Sequence, residues 1–219
     1  MRRRPIQGIA SRAAIPFWHL SLFTLPAWQL DILNTVIRNA AIFCASSNGA
    51  SPIYREAAIE LGRALAQQSI GIIYGGANVG LMQAVAEASL LHGGRVVGVI
   101  PEVLVDLEVA HRGLTELHIT TNMHTRKAMM GELADAFLVL PGGFGTFEEM
   151  FEVLTWQALR LHQKPVVLIN INGFYDKLLD FLDHCVAEGV LKPHARASLR
   201  IVSSVDEVFP LLAAHQIGS

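Results

Sequence analysis

The stretch Ala136-Phe137-Leu138-Val139-Leu140-Pro141-Gly142-Gly143-Phe144-Gly145-Thr146-Phe147-Glu148-Glu149 decides the fold. Its opening run, residues 136–140, is apolar without alternation, as a strand must be when helices cover both faces of its sheet. Pro141 and the glycines stop that strand, and Thr146-Phe147-Glu148-Glu149 opens a helical pattern. A buried strand turning through glycines into a helix is half of a βαβ unit, so its neighbours in the sheet should run parallel to it.

Outward from this stretch the same alternation recurs. Residues 41–45, 71–74, 95–100, 117–120, 165–170 and 201–203 read as further strands. Between them, residues 54–67 carry Ala57, Leu61, Ala64 and Leu65 on one stripe, and residues 173–188 carry Phe174, Leu178, Phe181, Leu182 and Cys185, so both read as helices with core faces. The expected architecture is α/β, a Rossmann-like doubly wound parallel sheet with helices on both faces. Residues 39–219 read as a single domain of this kind. Residues 1–38 break the pattern with prolines, tryptophans and no clear period, and read as an N-terminal extension, either an arm on the domain or a tail.

Composition narrows the function classes. A chain of 219 residues, 52% hydrophobic and 16% charged, can bury one full core. A net charge of -2 offers no basic stripe for a nucleic-acid backbone, so nucleic acid is not an expected partner and phosphate recognition should be local, for a small ligand. Cys44 in a strand-like run and Cys185 in a helical one suggest neither a disulfide framework nor a zinc knuckle, which fits a reducing cytoplasm. Arg2-Arg3-Arg4 and residues 15–30 have the charged start of a secretory signal. Pro16, His19, Pro26 and Gln29 interrupt what should be its apolar centre, so export is not expected. No apolar run approaches the roughly 20 residues of a bilayer span, so no membrane partner is expected either.

In an open parallel sheet, ligands sit beyond the carboxyl ends of the strands. Three such segments stand out: Ser46-Ser47-Asn48-Gly49, then Gly75-Gly76-Ala77-Asn78-Val79-Gly80-Leu81-Met82, then Pro141 onward. All should gather along one edge, with Ser46 and Gly76 on the substrate side. In the third, the glycines let the backbone approach a ligand, and Thr146 begins a helix whose unpaired amides and dipole favour an anion such as phosphate. Glu149 lies three residues past Thr146, which is also capping-box spacing. Yet adjacent acids beside a phosphate site would repel the ligand unless one served the reaction, so spacing alone leaves cap and catalyst as equal readings. The second segment is no NAD fingerprint, because Ala77 holds the third position of G-x-G-x-x-G, and a tight strand-to-helix turn also accounts for it.

Asn122-Met123-His124-Thr125-Arg126-Lys127 opens an amphipathic helix carrying Met129, Met130 and Leu133. Cations in a first turn oppose the helix dipole, so Arg126 and Lys127 suit an anionic ligand better than they suit stability, the alternative being a solvated surface pair. His111, His118, His124 and His162 contain no H-x-x-x-H pair and no cysteine joins them, so no metal site is expected. Neither a G-x-S-x-G elbow, a Walker A lysine nor a kinase signature occurs.

Met123-His124-Thr125-Arg126-Lys127 followed by Pro141-Gly142-Gly143-Phe144-Gly145-Thr146-Phe147-Glu148-Glu149 resembles the paired MHxRK and PGGxGTxxE signatures of the LOG (lonely guy) family, the cytokinin riboside 5'-monophosphate phosphoribohydrolases. The similarity runs from about Ala41 to the C-terminus and takes in Glu108-Val109-Ala110-His111, Leu114-Thr115-Glu116-Leu117, Leu154-Thr155-Trp156 and Asn172-Gly173-Phe174-Tyr175-Asp176. It implies hydrolysis of the N-glycosidic bond of an adenosine-type 5'-monophosphate to free base and ribose 5-phosphate, with no metal or redox cofactor. A homodimer is implied too, the Arg126 helix bordering the partner. By the same resemblance Arg126 and Glu149 are catalytic, while Glu108, Lys127, Gly142, Gly143, Phe144, Gly145, Thr146, Phe147, Glu148 and Thr155 line the substrate site. This chain departs from the family in having Cys44-Ala45-Ser46-Ser47 for Cys-Gly-Ser-Ser and Gly75-Gly76-Ala77-Asn78 for Gly-Gly-Gly-Ser, each change adding a methyl beside the expected pocket. Two other readings share the fold. One is a carrier that binds a nucleotide or pterin-type ligand without cleaving it. The other is a lysine decarboxylase, which needs a Schiff-base lysine for pyridoxal phosphate, and of Lys127, Lys164, Lys177 and Lys192 only Lys127 falls in a site motif.

Overall fold

Every expected strand forms, and all run parallel in one sheet. The computed structural model describes residues 37–105 and 110–218, so the expected extension at 1–38 lies almost wholly outside the described residues. Strands β1 (Asn39–Phe43), β2 (Gly71–Tyr74), β3 (Val96–Pro101), β4 (Glu116–Thr120), β5 (Ala136–Val139), β6 (Val166–Ile169) and β7 (Leu199–Val202) are ordered β4-β3-β2-β1-β5-β6-β7. Helices α1 (Pro52–Gln67), α2 (Gly80–Leu91), α3 (Met123–Leu133), α4 (Phe144–Ala158), α5 (Asp176–Ala187), α6 (Pro193–Ser198) and α7 (Val208–Gly218) fill the connections.

The continuous apolar runs are explained by cover on both faces. Ile42, Ile72, Tyr74, Leu138 and Ile169 point into one core with Ala58, Leu61 and Leu65 of α1, Leu81 and Val85 of α2 and Val208 and Leu212 of α7. Phe43, Ile73, Val99, Phe137, Val139 and Leu168 point into the other, against Met130 of α3, Met150 and Val153 of α4, and Leu178 and Leu182 of α5. A doubly wound sheet buries its central strands in this way.

The sheet edges differ from the sequence reading. β7 starts at Leu199 rather than 201, because its two middle residues, Arg200 and Ile201, are exposed and a polar residue masks the strand pattern. At the other edge β4 starts at Glu116, whose carboxylate accepts from Arg95 at 2.7 Å. In α5 the buried face is turned toward Leu179, so Phe181, expected in the core, is 59% exposed. Among the described residues, no helix is long and apolar enough to cross a membrane.

His162 joins the end of α4 to β6. Its Nδ1 accepts from the Lys164 amide at 3.1 Å, so its Nε2 carries the proton donated to the Val153 carbonyl at 2.9 Å. Burial first, and the Lys164 charge after it, hold this imidazole below the ordinary histidine value, although the bond to Val153 works the other way. The folded chain therefore binds the proton less tightly than the unfolded chain, and stability falls as pH drops through the ordinary value of about 6.5. The urea midpoint should decrease between about pH 7.5 and 5.5, and His162→Gln should flatten that decrease. An identical slope in wild type and variant would remove His162 from the account.

Candidate active site

Strand order reverses between β1 and β5. From β1 the chain steps outward through β2 and β3 to β4, and α3 brings it back to pair β5 with β1 in the register Ala40↔Ala136 to Phe43↔Val139. At such a reversal the loops leaving the two strands diverge and open a crevice. Here Ala45 N–H donates to the Pro141 carbonyl at 3.1 Å, and Leu81 N–H at the start of α2 donates to the Ala45 carbonyl at 3.1 Å. The three segments singled out in the sequence thus meet, and Tyr175 supports them from below by donating its buried hydroxyl to the Leu140 carbonyl at 2.7 Å.

The glycine loop ends in an open helix terminus. The N-cap of α4 is Gly143, which has no capping side chain, and Thr146 is the third helical residue rather than the first. This corrects the helix start expected at Thr146, and of the two readings that spacing left open for Glu149 it removes the capping box with Thr146. Glycine is required at 142 by close approach: a Cβ there would collide with the side chain of Thr146, which is 3% exposed. At Gly143 and Gly145 a Cβ would meet nothing within 4 Å. The first turn of a 15-residue helix therefore borders open space at its positive end, a place suited to an anion.

That space belongs to a cavity of about 310 Å³ lined by Cys44, Ala45, Ser46, Ser47, Met82, Leu104, Met123, Arg126, residues 143–146, Glu148 and Glu149. A second cavity of about 440 Å³ adjoins it at Ala45, Ser47 and Gly143, and is walled by Tyr54 and Phe174, whose rings meet edge to face at 5.5 Å. A wider groove, about 700 Å³, lies at the N-terminal ends of β6 and β7 among Gln157, His194, Arg200 and His215. It has neither a carboxylate nor a glycine loop in its wall, whereas the smaller cavity has both.

Arg126 and Glu149 face each other there, Nη2 to Oε1 at 3.4 Å, with side chains 8% and 12% exposed. The remaining contacts of the guanidinium are poor. Among the described residues, Nη1 reaches only the Met123 sulfur, at 3.7 Å, and Nε is buried without a hydrogen-bond partner. A guanidinium carries five donors, and leaving a buried one unmet costs on the order of 1–3 kcal/mol. A buried cation so incompletely matched is suited to an incoming oxygen-rich ligand. The capping of α3 is separate: Asn122 and Thr125 form a reciprocal box, and Arg126 turns inward behind it.

Lys127 has a different place. Its ammonium bonds Glu148 and, at 3.0 Å, Glu152, bridging α3 to α4. Burial alone would lower its proton affinity, but the two carboxylates outweigh that and hold it above the ordinary lysine value. It contacts the cavity only through Glu148 and has none of the character of a Schiff-base amine.

Of the expected site residues, Ser46, Gly143, Phe144, Gly145, Thr146, Glu148, Arg126 and Glu149 come together on one cavity, and Gly142 lies on its neighbour. Phe147 packs beneath the loop against Tyr175. Gly76 turns the chain at φ +76 and accepts from the His111 amide at 2.9 Å. Thr155 sits on α4 away from both cavities and bonds the Phe151 carbonyl at 2.7 Å. Glu108 lies outside the described residues. Of the two added methyls, that of Ala45 is on the cavity wall, whereas Ala77 is fully buried. Cys44, Ser47, Met82, Leu104 and Met123 are cavity residues that the sequence reading did not assign. All but Leu104 stood within segments already singled out, and Leu104, in the 3-10 turn Glu102–Leu104, carried no signal.

Fold and site define a class: a doubly wound α/β protein with an open helix terminus and a buried arginine–glutamate pair at the sheet's switch point. A family profile described as possible lysine decarboxylase matches residues 82–212. A cytokinin riboside 5'-monophosphate phosphoribohydrolase of Rhodococcoides fascians is 47% identical over 170 residues, 77% of this chain and 86% of that protein. One of Arabidopsis thaliana is 48% identical over 180 residues, 82% of each chain. Among solved structures, a molybdenum cofactor binding protein of Rippkaea orientalis shares the fold with a TM-score of 0.63 at 20% identity, over 82% of this chain and 97% of that one. The chain belongs to the LOG family of cytokinin riboside 5'-monophosphate phosphoribohydrolases.

The one thiol on the cavity is not a nucleophile. Burial first, and the Glu149 carboxylate after it, push the Cys44 thiol well above the ordinary range, so it carries no thiolate near neutrality. Iodoacetamide applied to the native protein at about pH 8 should therefore label the half-buried Cys185 and spare Cys44, as read by peptide mass spectrometry. Equal labelling of the two under native conditions would contradict this.

Proposed function

We propose that this chain hydrolyses the N-glycosidic bond of adenosine 5'-monophosphates, including N6-substituted ones, to the free base and ribose 5-phosphate. The observation that carries the reading is that the buried Arg126–Glu149 pair and the uncapped terminus of α4 face the same cavity. Family membership supports it, since relatives 47% and 48% identical bear the name of that activity.

The chemistry follows from where charge develops. As the C1'–N9 bond breaks, the ribose becomes oxocarbenium-like and the electron pair passes to the base; water adds its oxygen to C1', and of its two protons one stays on the new hydroxyl and the other ends, in the net reaction, on the departing base. The Glu149 carboxylate stabilises the positive sugar and orients the attacking water. The amides of residues 144–146 hold the 5'-phosphate, which fixes the glycosidic bond at a set distance from that carboxylate and removes much of the entropic part of the barrier. Arg126 keeps Glu149 in position and offers its unmet donors to substrate oxygens. Ser46 and Glu148 complete the wall, and Glu108 is assigned to the substrate site through the family motif. Lys127 acts at one remove, by fixing Glu148. The active form in this reading is a cytoplasmic homodimer with no nucleic-acid partner, built from one catalytic domain over residues 39–219 with residues 1–38 as an extension.

Purified protein should release free base from AMP and from isopentenyladenosine monophosphate, detected chromatographically, the ratio of rates giving the preferred base. Glu149→Gln should lower turnover at least about 100-fold while the fold persists. Nucleotide binding without base release from wild type would make the protein a ligand carrier. A Glu149→Gln variant of near-normal rate would remove Glu149 from the mechanism.

A further inference from the structure

Gly75 follows β2 directly and is buried, and the mechanism above gives it no task. An ideal Cβ built on it would fall on Nη2 of Arg126, the nitrogen that pairs with Glu149, and would lie 3.4 Å from the Met82 sulfur. We infer that Gly75 is a positioning residue: its missing side chain is the slot in which the Arg126 guanidinium lies against Glu149. The inference rests on the functional reading above for its kinetic consequence and on geometry alone for its structural one.

Other reasons for a glycine do not apply at this position. Gly75 is absent from the glycines of positive φ, so an L residue fits its backbone, whereas Gly76 has φ +76. The colliding atom is the tip of a flexible side chain rather than backbone, so alanine at 75 is accommodated by moving the guanidinium and not by opening the sheet. Among the described residues the guanidinium has little to hold it against that push. Its ion pair with Glu149 is 3.4 Å long, its sulfur contact is 3.7 Å, and Nε has no partner among the described residues. A side chain so weakly tethered is placed by the shape of its enclosure, and Gly75 and Met82 form the inner wall of that enclosure, with Met123 on the side of Nη1. A methyl group at 75 would occupy the inner position and drive Nη2 off Glu149.

The test is Gly75→Ala. A crystal structure of the variant should show the guanidinium displaced from Glu149 by roughly 1 Å or more, with base release from AMP reduced about 10- to 100-fold. The melting temperature should stay within about 3 °C of wild type, since no core volume or backbone hydrogen bond is lost. Because the glycine acts through Arg126, the same substitution in an Arg126→Lys background, whose slimmer ammonium clears the methyl, should change AMP affinity less than about twofold, against about tenfold in the presence of Arg126. A guanidinium unmoved in the variant crystal structure, or an equal loss in both backgrounds, would overturn the assignment. Should wild type release no base at all, the functional reading fails, while the crystal structure still decides whether Gly75 places Arg126.

Discussion

The pairing of β1 with β5 is the constraint on which the site depends. A parallel sheet that grows outward from β1 and then resumes on its other side must leave two strand ends whose loops diverge, and the hydrogen bond from Ala45 to Pro141 fixes how far apart they stand. Everything with chemical character is hung from that gap. α4 starts on one lip, α2 on the other, and α3 crosses from the far edge to bring Arg126 beneath both. The burial of β1 and β5 on both faces keeps the gap rigid, since Phe43, Ile42, Leu138 and Val139 are anchored in the two cores.

Within that frame the electrostatics are deliberately incomplete. A buried ion pair repays its desolvation only when the remaining donors are met. Arg126 and Glu149 stand 3.4 Å apart, and among the described residues Nε of the guanidinium has no hydrogen-bond partner. The neighbouring Lys127, by contrast, is saturated by two carboxylates. Adjacent cations on one helix thus divide the work: Lys127 ties α3 to α4, and Arg126 is left in need of a ligand. The uncapped amides of α4 add a second unmet demand for negative charge on the same cavity. Proteins retain such deficits where they bind.

Much of this was legible from residue order. Apolar runs without alternation marked the five inner strands because burial on both faces leaves no room for polar residues, and the pattern weakened at β4 and β7, where the sheet ends. The glycine loop announced itself by residue types ill-suited to stability, whereas Arg126 read as readily as a solvated surface charge and was singled out by the family motif. The helix start did not, because the true cap, Gly143, has no side chain to signal it and Thr146 has the right one. Lys127 and Thr155 are not on the cavity wall, because residues one apart on a helix project in different directions and two turns carry Thr155 about 10 Å along α4 from Glu148. Met82, Leu104 and Cys44 come to the site from separate elements, and only tertiary packing joins them.

If α4 holds the substrate by its phosphate so that Glu149 meets the glycosidic bond, adenine release from AMP and from adenosine, measured with the same enzyme at equal concentration, should differ sharply. AMP should release adenine, and adenosine should do so at least about 100-fold more slowly, since the nucleoside forfeits the anchored geometry. Comparable rates from the two substrates would contradict it.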